Sequence, residues 1–241
     1  MIFGNGYGYG YGFGYGYLTY YLFMLPGLIL ALWANIRVKS AFNKYSNIRN
    51  IRGMTGRDAA ENVLRNAGVY NVRIERVSGN LTDHYDPRTN VIRLSDSVYD
   101  SASVAAIGVA AHEAGHAVQY ATGYSMIKLR TAILPVCGFG SKLGIPLVII
   151  GTILASEALM IAGVVLFAAA VLFQLVTLPV EFNASNRALQ AIKSSNLLYD
   201  EEYIGAKKVL SAAAMTYVAA MLQSMLILLY YIMRINGNRR N

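Results

Sequence analysis

The chain has 241 residues, of which 55% are hydrophobic and only 14% are charged. Soluble domains are typically about a quarter charged, and the apolar residues here form long uncharged runs, so the composition indicates an integral membrane protein. The net charge is +8. Because the cations cluster beside apolar segments, we attribute the charge to membrane topology and predict no nucleic-acid partner. The single cysteine, Cys137, excludes an intramolecular disulfide.

The N-terminal residues 1–17 alternate glycine with tyrosine or phenylalanine (MIFGNGYGYGYGFGYGY). This low-complexity stretch lacks the basic segment of a secretory signal peptide, and we predict a tail that is disordered or lies at the membrane interface. The first apolar run, residues 18–36, carries no charge and is long enough to cross a bilayer. Cations follow this run and none precedes it. The positive-inside rule therefore places the chain from residue 37 onward in the cytoplasm.

Two further apolar regions follow along the chain. Residues 131–180 are too many for one crossing and predict a transmembrane hairpin, with its turn near Glu157. Residues 209–233 predict a fourth transmembrane helix, followed by a basic tail over residues 234–241. The sequence therefore predicts a mainly α integral membrane protein with about four transmembrane helices.

Residues 37–130, between the first crossing and the hairpin, indicate a small α+β cytoplasmic unit. TGRDAAENVLRNA, residues 55–67, begins with a capping candidate and continues with helical apolar spacing. GVYNVRIERV, residues 68–77, alternates as a strand does, and Asn90–Leu94 predicts a second strand after an Asp-Pro turn signal. Residues 95–124 are rich in alanine and valine and predict a helix.

That predicted helix carries the pentapeptide HEAGH, which holds two of the three histidines in the chain. Residues four apart lie on one face of a helix, so His112 and His116 present two imidazoles to one point, and neutral imidazole suits Zn²⁺. Glu113 is rotated by one position, so it can reach a water on the metal without being a ligand. This HExxH pattern is typical of zinc hydrolases, in which the ion lowers the pKa of the water and the glutamate takes its proton.

A catalytic zinc ion needs a third protein ligand, and the candidates are His84, Glu157, Glu181 and the acidic residues 200–202. The predicted hairpin returns the chain to the side of the HExxH helix at Glu181 and leaves Glu157 at the opposite face. A carboxylate at the foot of a membrane helix needs a partner, which a zinc ion would supply. We therefore predict Glu181, in a cytoplasmic helical segment over residues 181–208, as the third ligand of one zinc ion per chain. The acidic trio indicates a solvated turn or a helix start.

Four segments in chain order resemble the YugP-type family of membrane zinc metallopeptidases: LTDHYDPRTNVIRLSDSVY, GVAAHEAGHAVQY, LPVEFNASNRAL and AAAMTYVAA. The resemblance covers about residues 38–232. It implies a zincin-like peptidase with zinc bound by His112, His116 and Glu181 and with Glu113 as the general base. More distantly, the chain is similar to the HtpX-like gluzincins, whose ExxxD segment adds an aspartate that orients a histidine ligand. Ser185 stands at that position here and can form a hydrogen bond, but it carries no charge.

The same resemblance implies that Asn90–Leu94 is an edge strand along which a peptide substrate lies. A developing oxyanion also needs a hydrogen-bond donor besides the metal. His84, Tyr85, Arg187 and Tyr217 are candidates for that role or for contacts with the substrate. Each of them has a structural alternative: a turn residue, a packing residue or an interface cation.

We therefore expect a membrane-embedded zinc endopeptidase of the plasma membrane, with its active site on the cytoplasmic side. Its partners would be the lipid bilayer and a polypeptide substrate that is itself a membrane or membrane-proximal protein; no particular oligomeric state is predicted. One alternative is a non-catalytic membrane scaffold with a structural zinc ion or none. The intact Glu113 argues against a scaffold, because a structural site has no use for a base. The other alternative, a nucleic-acid-binding membrane protein, rests on basic charge alone.

Overall fold

The structure, a computed structural model, describes the backbone of residues 12–238 and the side chains of Leu18 and of residues 20–236. The predicted low-complexity tail therefore lies mostly outside the described residues, and the first helix begins at Gly12. The described helices are α1 (Gly12–Ser46), α2 (Gly56–Asn66), α3 (Val104–Ala121), α4 (Ser125–Ile153), α5 (Glu157–Ser194) and α6 (Asp200–Asn238). The strands are β1 (Arg73–Val77), β2 (His84–Asp86) and β3 (Val91–Ser95).

Four of the described helices are long and apolar enough to cross a membrane, over residues 20–46, 125–153, 157–194 and 200–236. Each includes most or all of one predicted crossing, so the prediction of a mainly helical protein with about four candidate transmembrane helices is confirmed. α5 continues well beyond the end of the predicted crossing, so Glu181 lies inside one continuous helix.

α4 and α5 form a closely packed antiparallel hairpin. A Cβ on Gly144 would lie 2.8 Å from the backbone nitrogen of Phe167, and one on Gly163 would lie 2.7 Å from the carbonyl oxygen of Gly144. Only residues without a side chain permit this approach, which is a common way for helices to associate in membranes. A buried apolar cluster then joins this hairpin to α6, through Val148, Phe167, Val171, Ile227, Tyr230 and Tyr231.

The α+β unit begins with a capped helix, α2, as the sequence predicted. The Thr55 hydroxyl accepts from the backbone N–H of Asp58, and the Asp58 carboxylate accepts from the backbone N–H of Thr55. This reciprocal pair satisfies two donors at the start of the helix. α2 then buries one face of small and branched side chains against α3, namely Ala59, Ala60, Val63 and Leu64.

The three-stranded sheet has the order β1-β3-β2, with β1 parallel and β2 antiparallel to β3. The expectation that Asn90–Leu94 forms an edge strand is therefore wrong, because this segment belongs to the central strand β3. Val91, Ile92 and Leu94 are completely buried, which is typical of a strand covered on both faces. The edge nearer to the site is β2, where the Tyr85 ring packs 5.5 Å from that of Tyr120 on α3.

α3 lies in the middle of the molecule, between α2, α5 and α6. It is shorter than the predicted helix over residues 95–124, because Ser95 ends β3 and Ser103 caps the helix by accepting from the backbone N–H of Ala106. Nearly all of its side chains are small and buried. A helix with apolar residues on all of its faces is usually buried in the protein. The few polar residues of α3 therefore lie in or near the interior.

Candidate metal centre

α3 carries both histidines of the HExxH motif and the glutamate between them. The rings of His112 and His116 lie one turn apart, with centroids separated by 4.7 Å and planes nearly perpendicular at 85°. Both side chains are mostly buried. Glu113 is only 9% exposed, so this carboxylate also lies inside the protein. The local helix therefore brings three titratable groups into one interior region.

Glu181 of α5 meets the two histidines from the opposite side. Its Oε2 lies 3.4 Å from Nε2 of His112 and 3.5 Å from Nε2 of His116. The three ligand atoms all lie within 4.8 Å of one another. Ligand atoms about 2.1 Å from a tetrahedral zinc ion lie about 3.4 Å from each other. The two measured separations match that spacing, so these residues could hold one zinc ion.

The carboxylate of Glu181 also needs a partner that the described residues do not supply. Its Oε2 is fully buried and accepts no hydrogen bond within the described part of the chain. Among the described arginines and lysines, Arg130 approaches this carboxylate, with a guanidinium nitrogen 3.8 Å from Oε1 of Glu181. The same guanidinium group packs over the ring of Phe173. A buried carboxylate oxygen without a partner is costly, and a metal ion at this point would satisfy it. The donor set of two imidazoles and one carboxylate suits zinc.

Small residues allow α3 and α5 to approach closely enough for these side chains to meet. A Cβ on Gly115 would lie 2.7 Å from the carbonyl oxygen of Ala184. Ala111, Ala114 and Ala188 are all completely buried in the same region. A glutamate on one helix can therefore reach two histidines on the other only because the backbones are nearly in contact.

Each histidine has a hydrogen-bonding partner at its other ring nitrogen. Nδ1 of His112 lies 3.1 Å from the hydroxyl of Ser185. Ser185, which stands at the aspartate position of the ExxxD segment, therefore contacts a histidine of the motif. Nδ1 of His116 lies 3.1 Å from Oε1 of Gln119. Sequence analysis did not select Gln119, although a long amide three residues after the motif on an apolar helix was a usable signal. These contacts direct both Nε2 atoms toward Glu181.

The charge balance of the site affects the pKa of His116. Burial by itself lowers the pKa of this imidazole. The nearby carboxylates of Glu181 and Glu113, together with the Gln119 contact, outweigh burial and raise the pKa above its ordinary value of 6.5. The site therefore favours a positive charge at this position, which is also what a bound cation provides.

A cavity of about 160 Å³ adjoins two of the three candidate ligands, His112 and Glu181. His112, Glu113 and Glu181 line it on one side. Its other walls are mostly apolar and come from the membrane helices α1 and α6, through Val38, Phe42, Val209, Leu210, Ala213 and Ala214. Glu113 therefore shares a space with the candidate metal ligands into which another molecule could enter.

The four candidate oxyanion or substrate residues are separated in the structure. Tyr217 lines the cavity. The hydroxyl of Tyr85 donates to Asn90 at 2.6 Å, and Nε of Arg187 donates to Asn183 at 2.8 Å. His84 is exposed, with Nδ1 2.8 Å from the carbonyl oxygen of Thr82. Of these four, Tyr217 is therefore the one that joins the candidate site.

Asp83, which sequence analysis did not select, also lines the cavity. Its carboxylate accepts from the backbone N–H of Ser95 at 2.7 Å and from the Ser95 hydroxyl at 2.9 Å. Burial raises the pKa of Asp83, although these hydrogen bonds partly oppose that effect. The contact connects the loop before β2 to the end of β3 and brings that loop to the cavity.

Comparison with known proteins agrees with this geometry. A family model described as "Putative neutral zinc metallopeptidase" matches residues 20–236. The chain is 48% identical over 213 residues to "Putative membrane protease YugP" of Bacillus subtilis (strain 168), an alignment that covers 88% of this chain and 95% of that protein. No solved structure matches the chain. The resemblance inferred from the sequence motifs is confirmed, and the chain belongs to the family described as "Putative neutral zinc metallopeptidase".

Proposed function

We propose that the protein is a membrane-embedded, zinc-dependent endopeptidase that binds one zinc ion per chain through His112, His116 and Glu181. One observation carries the proposal. Three ligand atoms from two helices lie within 4.8 Å of one another, and the buried Oε2 of Glu181 has no hydrogen-bond donor among the described residues. The family description and the name of the relative from Bacillus subtilis support the same activity.

The proposed reaction is hydrolysis of a peptide bond. Zinc, when bound, supplies a Lewis acid that polarises the substrate carbonyl and lowers the pKa of water. Glu113 accepts a proton from the water as its oxygen adds to the carbonyl carbon. Glu113 then delivers that proton to the amide nitrogen as the C–N bond breaks, which leaves a carboxylate and an amine. The place of Glu113 in the cavity wall beside His112 and Glu181 supports this role.

The hydroxyl of Tyr217 is the best candidate to donate a hydrogen bond to the substrate carbonyl oxygen, because this residue lines the cavity. His84, Tyr85 and Arg187 are better explained by the local contacts that they make in the fold. We therefore assign the oxyanion contact to Tyr217 and no step of the reaction to the other three.

The walls of the cavity support a membrane or membrane-proximal polypeptide as the substrate. α1 and α6 contribute most of the apolar lining, so a segment that leaves the bilayer beside these helices would reach the site over a short distance. The extended part of the substrate would lie along β2, which is an edge of the described sheet. The loop just before β2 reaches the cavity at Leu81 and Asp83, so this edge leads toward the site.

We also propose that the protein lies in the plasma membrane with the site on the cytoplasmic side. The cations that follow the first crossing support this orientation by the positive-inside rule. Both α3 and the end of α5 would then lie on the cytoplasmic side, because the α4–α5 hairpin returns the chain to the face that it left.

A degenerate peptide library tests the proposed activity. Purified protein in detergent, loaded with zinc, is incubated with the library, and the products are sequenced by mass spectrometry. We expect cleavage by the wild type and a loss of about 100-fold to 10,000-fold in Glu113→Gln, which removes the base without removing a ligand. Absence of cleavage by a wild type that holds one zinc ion would instead support the non-catalytic scaffold.

A further inference from the structure

Gln119 is a completely buried amide on α3, and its side chain makes three polar contacts. Oε1 lies 3.1 Å from Nδ1 of His116. The amide nitrogen donates to the carbonyl oxygen of Val180 at 2.7 Å and to Oδ1 of Asn183 at 3.0 Å. Both polar atoms of this amide therefore face a named partner, as burial requires.

The direction of the Gln119 amide follows from a neighbouring cation. The two ends of an amide look alike, so they are assigned from their partners. Arg187 can only donate, and its Nε donates to Asn183 at 2.8 Å, so the accepting atom of Asn183 is its oxygen. That oxygen requires a donor from Gln119, and so does the carbonyl oxygen of Val180. The nitrogen of Gln119 therefore faces α5, and its oxygen faces His116.

The oxygen of an amide only accepts, so Nδ1 of His116 must carry a hydrogen to complete this contact. A neutral imidazole with its hydrogen on Nδ1 has its lone pair on Nε2. In His116 that atom lies 3.5 Å from Oε2 of Glu181, on the side of the proposed metal. The opposite tautomer would turn a hydrogen toward the metal position and would prevent ligation.

We propose that Gln119 is a positioning residue that holds His116 in the tautomer with a hydrogen on Nδ1 and so presents the Nε2 lone pair to zinc. The inference rests on the proposed set of zinc ligands and adds to it the residue that orients His116. Gln119 also bonds to Val180, the residue before Glu181, so one side chain aligns two ligands on different helices. The partner of His112 is a hydroxyl, which can donate or accept, and it imposes no tautomer.

Glu181 lies near the other ring nitrogen of His116 and could compete for this hydrogen. Its Oε2 could accept from Nε2 of His116, yet the separation is 3.5 Å and the oxygen accepts no hydrogen bond among the described residues. The contact with Gln119 is shorter, at 3.1 Å. Geometry therefore favours the hydrogen on Nδ1 even before a metal ion arrives.

Nitrogen NMR of ¹⁵N-histidine-labelled protein tests the tautomer directly. The chain has only three histidines, and a His84→Asn variant identifies the signal of the exposed one. Spectra are recorded on metal-free protein in detergent at a pH where the imidazoles are neutral. We expect His116 to carry its hydrogen on Nδ1 in the wild type and in Gln119→Glu, whose carboxylate also accepts. Gln119→Leu should move the hydrogen toward Nε2, whereas the control Ser185→Ala should leave His116 unchanged.

Zinc affinity of the same variants separates positioning from a merely structural role. Loss of a partner behind a metal-binding histidine typically weakens binding about 10-fold to 100-fold, which we expect for Gln119→Leu. Gln119→Glu should bind zinc within a few-fold of the wild type. If Gln119 only joined α3 to α5, Gln119→Glu would be at least as damaging as Gln119→Leu, because a carboxylate cannot donate to Val180 or Asn183.

A wild-type His116 with its hydrogen on Nε2 would overturn the proposal, as would an unchanged tautomer in Gln119→Leu. If Gln119→Leu does not fold, the tautomer of His116 in the wild type and the zinc affinity of Gln119→Glu still test the proposal. The tautomer is read without zinc and without substrate. A protein that shows the expected tautomer but cleaves no peptide would therefore contradict only the proposed peptidase activity.

Discussion

The backbones of Gly115 on α3 and Ala184 on α5 lie so close together that a Cβ on residue 115 would lie 2.7 Å from the Ala184 carbonyl oxygen. This contact sets the distance between the helix with the two histidines and the helix with Glu181. A backbone oxygen cannot move aside as a side chain can, so a methyl group here must separate the helices.

Gly115→Ala should therefore weaken zinc binding and destabilise the protein by about 1–3 kcal/mol, the usual cost of overpacking. Thermal unfolding and zinc titration in detergent would measure both effects. Gly138→Ala on α4 is the matched control, because a Cβ on Gly138 meets no described atom within 4 Å. Equal behaviour of the two variants would show that the α3–α5 contact does not control the site.

Zinc affinity should rise with pH. The pKa of His116 in the metal-free site is raised above 6.5, so the imidazole keeps its proton to a higher pH than a free histidine does. Zinc must displace that proton, and affinity should fall by up to about tenfold per unit as pH drops below the pKa. Titrations between about pH 6 and about pH 8 would measure the slope. Glu113→Gln removes one charge that raises this pKa and should move the midpoint to lower pH; a pH-independent affinity would contradict the prediction.

Filling the cavity should block hydrolysis without removing the metal. Ala214 is buried in the cavity wall on α6, so Ala214→Leu would occupy space that the proposed substrate needs. We expect cleavage of the degenerate peptide library to fall at least about tenfold, with zinc content unchanged. Ala220→Leu on the same helix is the control, because Ala220 is exposed. Full activity in Ala214→Leu would mean that substrate does not use this cavity.

Cysteine labelling tests the proposed orientation in the membrane. The single native cysteine, Cys137, is buried and can be replaced by serine to give a background without thiols. Tyr70 in the α+β unit is 80% exposed, and Leu154 in the hairpin turn is 63% exposed. In intact cells, a membrane-impermeant reagent should label Leu154→Cys but reach Tyr70→Cys only after permeabilisation. The reverse pattern would place the site on the outer face.

The membrane helices and the pair of histidines could be predicted because their signals are local. An uncharged apolar run long enough to span a bilayer identifies a crossing. The spacing of His112 and His116 identifies a shared helix face. Glu181 could be predicted as a ligand with one further step, because the number of crossings predicts which carboxylates lie on the same side of the membrane as the motif. The structure brings these three side chains together.

The features that sequence analysis missed depend on which distant segments meet. β3 contained a recognisable strand pattern, but its central position depends on β1 and β2 pairing with its two sides, which no local pattern specifies. Gln119 was visible as a polar residue, yet its role depends on where Val180 and Asn183 lie on α5. Arg130 on α4 lies near Glu181 on α5, and no pattern in the sequence indicates that these two residues meet.

Zinc content and affinity of purified protein, compared among wild type, Glu181→Ala and Glu113→Gln, test the central claim most directly. The account predicts about one zinc ion per wild-type chain, markedly weaker binding in Glu181→Ala, and retained zinc in Glu113→Gln. A wild type that takes up no zinc when the metal is supplied would contradict the account. So would a Glu181→Ala variant that binds zinc as tightly as the wild type.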